Sequence, residues 1–148
     1  MNFGSSLGIS ASALTAQRLR MDVISSNIAN AETTRASVVD GKAVPYKRKL
    51  VVMETADQSS FSNILNSQMN GTQAGVKVSS IINDTSPLKP VYNPGHPDAD
   101  ESGYVYMPNV DMVKEMVDMM SASRSYDANV TMLNASKAMV MKALEIGR

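Results

Sequence analysis

Two stretches of the chain repeat apolar residues on a seven-residue beat, and they lie at opposite ends. In the first, Leu7, Leu14, Met21 and Ile28 recur at heptad spacing, Ile24 adds a partner position, and Ile9, Ala13, Ala16 and Val23 form a neighbouring stripe. One wide apolar face at this period predicts a helix over residues 5–31. The intervening positions are small or polar (Ser5, Ser6, Ser10, Ser12, Gln17, Asn27, Asn30), and Gly4 and Gly8 weaken the first turns. Alone such a helix is marginal, so it needs a partner. The second stretch is stronger. Met112, Met119, Tyr126, Leu133 and Val140 recur every seven residues, with Met116, Val130 and Leu144 at complementary positions and interruptions at Ser123 and Lys137. This coiled-coil-like seam predicts a helix over 109–147, opened by Asn109 as N-cap with Asp111 and Glu115 at its positive end. At 1.5 Å per residue it would run about 55 Å, which predicts an elongated molecule.

The middle of the chain has a different texture. After a loop beginning at Glu32-Thr33-Thr34 and a turn signal at Asp40-Gly41, Pro45-Tyr46 and the basic triplet Lys47-Arg48-Lys49 lead into Leu50-Val51-Val52-Met53, a strand candidate. Residues 57–75 are rich in Ser, Asn, Gln, Thr and Gly, and read as a flexible excursion in which Phe61, Ile64, Leu65 and Met69 allow a turn or two of helix. Val76 to Asn83 alternates and forms the second strand candidate, able to pair with the first as a hairpin with a long polar tip. Turn formers follow from Ser86-Pro87 to Asp98, where the prolines hold the backbone extended. The expected fold is therefore mainly α, an elongated antiparallel two-helix coiled coil with a small β-hairpin and extended insert. Its discontinuous helical core would take residues 1–31 and 109–148, and its arm residues 32–108.

Composition agrees with burial along a seam. The 148 residues include twelve Met but only five Tyr, two Phe and no Trp, so the bulky side chains that fill a globular centre are scarce. Lys and Arg balance Asp and Glu at 14 each. A chain without basic excess, whose one basic triplet lacks interleaved aromatics, is not expected to bind nucleic acid. With no cysteine there are no disulfides, thiolate metal sites or cysteine nucleophiles. No stretch approaches the roughly 18 apolar residues of a membrane span. Met1 to Ala16 carries no positive charge and no compact apolar block, unlike a cleaved export signal.

Candidate chemistry is thin. His96-Pro97-Asp98-Ala99-Asp100-Glu101 gathers one histidine and three carboxylates, a set that could hold a divalent metal or supply an acid–base pair. No second histidine completes a usual zinc site, the spacing is not that of an EF-hand, and neither a nucleophile elbow nor a phosphate-binding glycine loop is present. A solvated acidic turn accounts for it better, and packing accounts better than soft-metal binding for Met112, Met116, Met119 and Met120. No catalytic residue, cofactor or metal is expected.

The termini carry a resemblance. Ser26-Asn27-Ile28-Ala29-Asn30-Ala31-Glu32-Thr33 holds the Asn-x-Ala-Asn-x-x-Thr pattern of the bacterial flagellar axial family of rod and hook proteins, at Asn27, Ala29, Asn30 and Thr33. Four further segments resemble the proximal-rod members of that family: Val91 to Asp100, with Pro94, Gly95, Pro97 and Asp98; Gly103 to Val110; Met119 to Asn129; and Lys142 to Arg148. The likeness covers about 1–55 and 76–148. It implies a structural subunit of the basal-body rod in the periplasm, exported by the flagellar type III apparatus without a cleaved signal. Its partners would be its own copies, other proximal and distal rod proteins and the adaptor to the membrane ring; it would not be inserted in the membrane. It implies that the terminal helices pair along a seam, for which Leu14, Met21 and Ile28 are expected to meet Met116, Met119, Tyr126, Val130, Leu133, Val140 and Leu144. Asn27, Asn30 and Thr33 are then expected to satisfy backbone groups where the helix turns into the arm, and Pro45, Tyr46 and the basic triplet to dock that arm on a neighbour.

Overall fold

The computed structural model describes residues 3–39, 42–56, 65 and 75–146. Among these residues two long helices, α1 (Phe3–Ala29) and α2 (Met112–Ile146), bracket six short strands: β1 (Ser37–Val39), β2 (Lys42–Val44), β3 (Lys49–Thr55), β4 (Val76–Asn83), β5 (Lys89–Tyr92) and β6 (Tyr104–Met107). The strands form three two-stranded sheets, β1–β2, β3–β4 and β5–β6. A mainly helical chain with small hairpins between its helices is thus the observed architecture. The proposed helical turn at Phe61, Ile64 and Met69 and the Asp40-Gly41 turn lie outside the described residues, while Leu65 is helical and exposed.

Helix α1 ends two residues before the expected boundary, for a local reason. Asn30 folds its side chain back, and Nδ2 donates to the Ser26 carbonyl at 2.8 Å beside its own backbone N–H at 3.1 Å. The next bond is a tighter three-residue one, from Ala31 N to Ile28 O. Helix α2 starts three residues later than expected, because Asp111 and not Asn109 is its N-cap. Asp111 Oδ1 accepts from the N–H groups of Val113 and Lys114 at 3.0 and 3.3 Å, and its carbonyl takes the first helical bond from Glu115.

The β3–β4 hairpin joins the two anticipated strands. Ala56 N donates to Gly75 O at one end and Asp84 N to Arg48 O at the other, both at 2.8 Å, so the strands run antiparallel. The other two hairpins were not anticipated. In β1–β2, Ser37 faces Val44 and Val39 faces Lys42. In β5–β6, Lys89 faces Met107 and Tyr92 faces Tyr104, whose rings meet edge to face at 5.3 Å. Gly103 returns the chain into β6 at a φ of +78°, where a Cβ would lie 3.0 Å from the Tyr92 ring.

By their internal contacts the residues fall into two compact units. One comprises Met1–Met21, Val52–Ser80 and Ser121–Arg148; its fully buried side chains are small, Ala16 at 3% exposure, Ala122 at 1% and Ser136 at 7%. In it Ser12 Oγ donates to the Ile9 carbonyl at 2.7 Å and accepts from Val76 N at 3.1 Å, which pins the start of β4 to α1. The other comprises Asp22–Val51 and Ile81–Met120, and buries Val23, Ile24, Pro45, Tyr46, Val105, Pro108 and Val110. Asn27, Arg48, Asp84, Asp98 and Glu115 all lie within this second unit.

Candidate functional site: a buried polar junction

The least exposed large side chains of the molecule include two polar ones, Glu115 at 0% and Asn27 at 1%. A buried amide or carboxylate is costly unless every lone pair and N–H finds a partner, so their bonding defines the site. Asn27 sits on the last turns of α1 with all four of its hydrogen-bonding positions filled. Its Nδ2 donates to Lys49 O at 2.9 Å and to Glu115 Oε2 at 3.0 Å, and its Oδ1 accepts from Lys49 N at 2.9 Å and Tyr46 Oη at 3.0 Å. Towards Lys49 the side-chain amide behaves as a peptide group would in a sheet, accepting from the N–H and donating to the C=O of one residue. That pairing clips the first residue of β3 to the end of α1.

Glu115, one turn into α2, receives Asn27 on Oε2 and Arg48 Nε on Oε1, the latter at 2.6 Å. Arg48 reaches two further carboxylates, Asp84 Oδ2 and Asp118 Oδ2, each at 3.5 Å. Burial disfavours the Arg48 cation, but the Glu115 hydrogen bond and charge, reinforced by Asp84, outweigh it and hold the guanidinium above its ordinary pKa. Asp84 lies below the usual carboxylate range, chiefly because the Ser86 hydroxyl and N–H both donate to its Oδ1, with Arg48 helping. Asn109 completes the set by accepting from Arg48 N at 2.9 Å and donating to Ser86 O at 3.1 Å. The segment entering β3, the segment after β4 and the first turns of α2 are thereby tied to α1 by side chains up to 88 residues apart.

A second clamp holds the proline-rich turn. Asp98 accepts from Thr34 Oγ1 at 2.9 Å and pairs with the Arg35 guanidinium, whose hydrogen bond, ahead of that of Thr34, keeps the carboxyl below its ordinary range. His96 Nδ1 accepts from Asp98 N at 3.1 Å, and Asp100 N donates to Tyr104 O at 2.9 Å. Asp98 and His96 are therefore engaged inside the turn and on the Thr34-Arg35 segment. Among the described residues no group of three or more His, Asp or Glu is placed to hold a metal ion.

The anticipated positions are distributed as follows. Of the axial motif, Asn27 is buried, Asn30 and Thr33 are half-buried, and Ala29 is exposed; Thr33 Oγ1 donates to Asn30 Oδ1 at 3.3 Å, and its carbonyl accepts from Tyr46 N. Pro45 and Tyr46 lie inside, the Tyr46 ring carrying Lys49 Nζ 5.8 Å from its centroid, while Pro94, Gly95 and Pro97 are exposed and Asp98 is half-buried. Of the basic triplet, Lys47 and Lys49 are exposed, and Arg48 is occupied in the junction.

Along α1, Leu14, Met21 and Ile28 are half-buried, and the neighbouring stripe runs deeper, through Ala16, Val23 and Ile24. Along α2, Met119, Tyr126, Val130, Leu133 and Val140 are half-buried, but Met116 and Leu144 are exposed, at 47% and 68%. The row that alternates with Met119, Tyr126, Leu133 and Val140 in three- and four-residue steps is Glu115, Ala122, Asn129 and Ser136; three of these are buried and Asn129 is half-buried. Within the single chain this row is more buried than the expected complementary row of Met116, Val130 and Leu144, which lies one residue further on. The available signal was the seven-residue repeat of small and polar side chains, which suits a close backbone approach.

In this arrangement buried polar groups join chain segments that lie far apart in the sequence. The first 30-odd residues and the last third, which the junction connects, are also the parts recognised by family models: residues 7–36 match "Flagella basal body rod protein", and residues 101–146 match "Flagellar basal body rod FlgEFG protein C-terminal". The chain is 60% identical over 146 residues to the flagellar basal-body rod protein FlgC of Bacillus subtilis, covering 97% of both chains. It is 46% identical to the protein of that name from Borreliella burgdorferi, covering 99% of this chain and 98% of the relative, and 45% identical to that of Salmonella typhimurium, covering 95% and 94%. The chain belongs to the flagellar basal-body rod protein family.

Proposed function

We propose that this chain is a structural, non-catalytic subunit of the proximal rod of the bacterial flagellum. It polymerises with its own copies and with other proximal and distal rod proteins into the hollow shaft that carries motor torque, and flagellar assembly and motility require it. In this reading α1 and α2 pair as an antiparallel coiled coil, residues 1–31 with 109–148, and residues 32–108 form the arm. The chain reaches the periplasmic rod through the type III export apparatus without a cleaved signal, and contacts the adaptor to the membrane ring.

The observation that carries the proposal is the surface of α2. Met112, Val113, Met116, Val117 and Met120 are 46–67% exposed within nine residues, and Met132, Met139, Met141 and Leu144 are 54–68% exposed further along. Single apolar side chains at a surface are ordinary, but a helix that leaves nine of them open is suited to being covered by neighbours. A chain whose buried core is largely Ala, Val and Ser gains much of its stability from such contacts.

Electron microscopy of basal bodies from cells whose copy lacks residues 139–148 tests this. Rods should be missing while the membrane-embedded ring remains. Complete rods with normal filaments would remove the C-terminal helix from the assembly, and with it the proposed mode of polymerisation.

A further inference from the structure

The apolar rows on both helices are degenerate. On α1, Leu7, Leu14, Met21 and Ile28 repeat by sevens, as do Ala16 and Val23; on α2, Met112, Met119, Tyr126, Leu133 and Val140 do the same. Sliding one helix along the other by seven residues, about 10 Å, sets apolar residues against apolar residues again. Packing of this kind holds two helices together without choosing where they stop.

Glu115 breaks the degeneracy. In the row Glu115, Ala122, Asn129 and Ser136 it is the only charged residue, and it is fully buried. Its two oxygens are committed to Arg48 Nε and Asn27 Nδ2. Neither donor is free to follow a sliding helix. Asn27 is held by two bonds to the Lys49 backbone, and Arg48 by its own backbone bonds, N–H to Asn109 and C=O from Asp84 N. In a register shifted by one heptad, Ala122 replaces Glu115 at these donors, and the carboxylate is left desolvated without them. A buried polar residue that finds its partners in one alignment is known to fix register in coiled coils at some expense of stability.

We infer that Asn27, Arg48 and Glu115 are a register lock, which selects one alignment of α1 with α2 and rejects its heptad-shifted alternatives. The inference rests on the pairing of the two helices proposed above. It assigns these residues a specificity role: a rod subunit held in mixed registers would present its exposed methionines at inconsistent heights to its neighbours.

The chain has no cysteine, so two spin labels can be placed on the purified full-length protein without background changes, at the exposed positions Thr15→Cys and Lys114→Cys. Pulsed electron double resonance should give one interlabel distance in the parent. In Asn27→Leu/Arg48→Met/Glu115→Met, which keeps helix and bulk but removes the polar set, a second population should appear, displaced by one heptad. In Glu115→Ala/Ala122→Glu, which moves the carboxylate by seven residues, the main population should follow it, an axial slide of about 10 Å. A single unshifted distance in both variants would overturn the lock and leave the helix pair standing. A parent without a defined distance would overturn the helix pair and the lock together. Should both multiple variants fail to fold, Glu115→Gln decides: a minor shifted population supports the lock, and an unchanged single distance overturns it.

Discussion

Replacing Asn27 by aspartate changes one NH2 group into an oxygen and leaves the shape intact, yet the geometry requires it to be worse than truncation. Nδ2 lies 3.0 Å from Glu115 Oε2 and 2.9 Å from Lys49 O, and it donates to both. Asn27→Ala removes these donors and the acceptor used by Lys49 N and Tyr46 Oη, with part of the loss recovered because Glu115 keeps Arg48 and Tyr46 has Ser26 Oγ within 3.4 Å. Several buried groups left short of a partner cost about 3 kcal/mol in total. Asn27→Asp instead sets a carboxylate oxygen against an acceptor on two sides. Two unit charges 3 Å apart at an effective dielectric of 20 repel by about 5 kcal/mol, a ceiling the new group escapes partly by holding its proton. The expected loss at pH 7 is therefore about 4–5 kcal/mol for Asp against about 3 for Ala. The sign with pH follows. The carboxyl at position 27 is raised above its unfolded value by burial and by Glu115, so the folded state takes up a proton that the unfolded chain releases. The Asp penalty is greatest above the raised value and shrinks as pH falls through it towards the unfolded value, whereas the Ala penalty stays more nearly level. Urea unfolding of the full-length chain, followed by circular dichroism at pH 7 and pH 5, measures both. An aspartate variant more stable than the alanine variant at pH 7, or a gap that does not narrow in acid, would refute the geometry given for Asn27.

Three further perturbations address other parts of the molecule. A Cβ on Gly75 would lie 2.5 Å from Ser12 Oγ and 3.3 Å from Ser12 Cβ, so Gly75→Ala should cost about 1–3 kcal/mol in thermal unfolding, and adding Ser12→Ala should recover part of it; full additivity of the two losses would place the strain elsewhere. Asp98 is held below its ordinary value by Arg35 and then Thr34, so its stabilisation is complete above the unfolded carboxylate value and disappears as pH falls through the folded one; Asp98→Asn should flatten the acid limb of the unfolding profile, and an unchanged limb would count against the clamp. Met116→Ser, at a side chain 47% exposed, should leave the unfolding of the isolated chain within about 0.5 kcal/mol but abolish swimming in soft agar; normal swimming would take that face out of the assembly.

Much of the fold was legible because it is written in periods. The two terminal helices follow from heptads, and the β3–β4 pair from alternation between turn-forming segments. What could not be read was set by side chains acting on distant backbone. Asn109 and Asp111 are both good caps by composition, and the choice between them fell to Asp111 because Asn109 is drawn away to Arg48 N and Ser86 O. The β5–β6 hairpin was hidden behind prolines, one of which, Pro90, sits inside a strand opposite Tyr106. A two-stranded sheet has free edges that tolerate a residue without an N–H. Arg48 looked like one of three surface cations, and Glu115 like a helix-end charge. Only their meeting across 67 residues of sequence makes them interior residues.

The two sides of α2 then answer to different demands. The more buried side alternates Met119, Tyr126, Leu133 and Val140 with Glu115, Ala122, Asn129 and Ser136, and the members of the second row are small or polar. Such a row draws little free energy from apolar burial, so a buried carboxylate in it needs full pairing, and Glu115 has it. The other side keeps Val113, Met116, Val117 and Met120 in solvent, a ridge at three- and four-residue steps beginning two residues past the Asp111 cap. Because both sets of residues ride on the same first turns of α2, the bonds of Glu115 fix the rotation of the helix about its axis as well as its position along it. The orientation of the exposed Val113, Met116, Val117 and Met120 ridge is thus set by a carboxylate that is itself fully buried. For the assembly proposed above, a surface fixed from the inside in this way can itself remain flexible and apolar, as methionine is, without losing its direction.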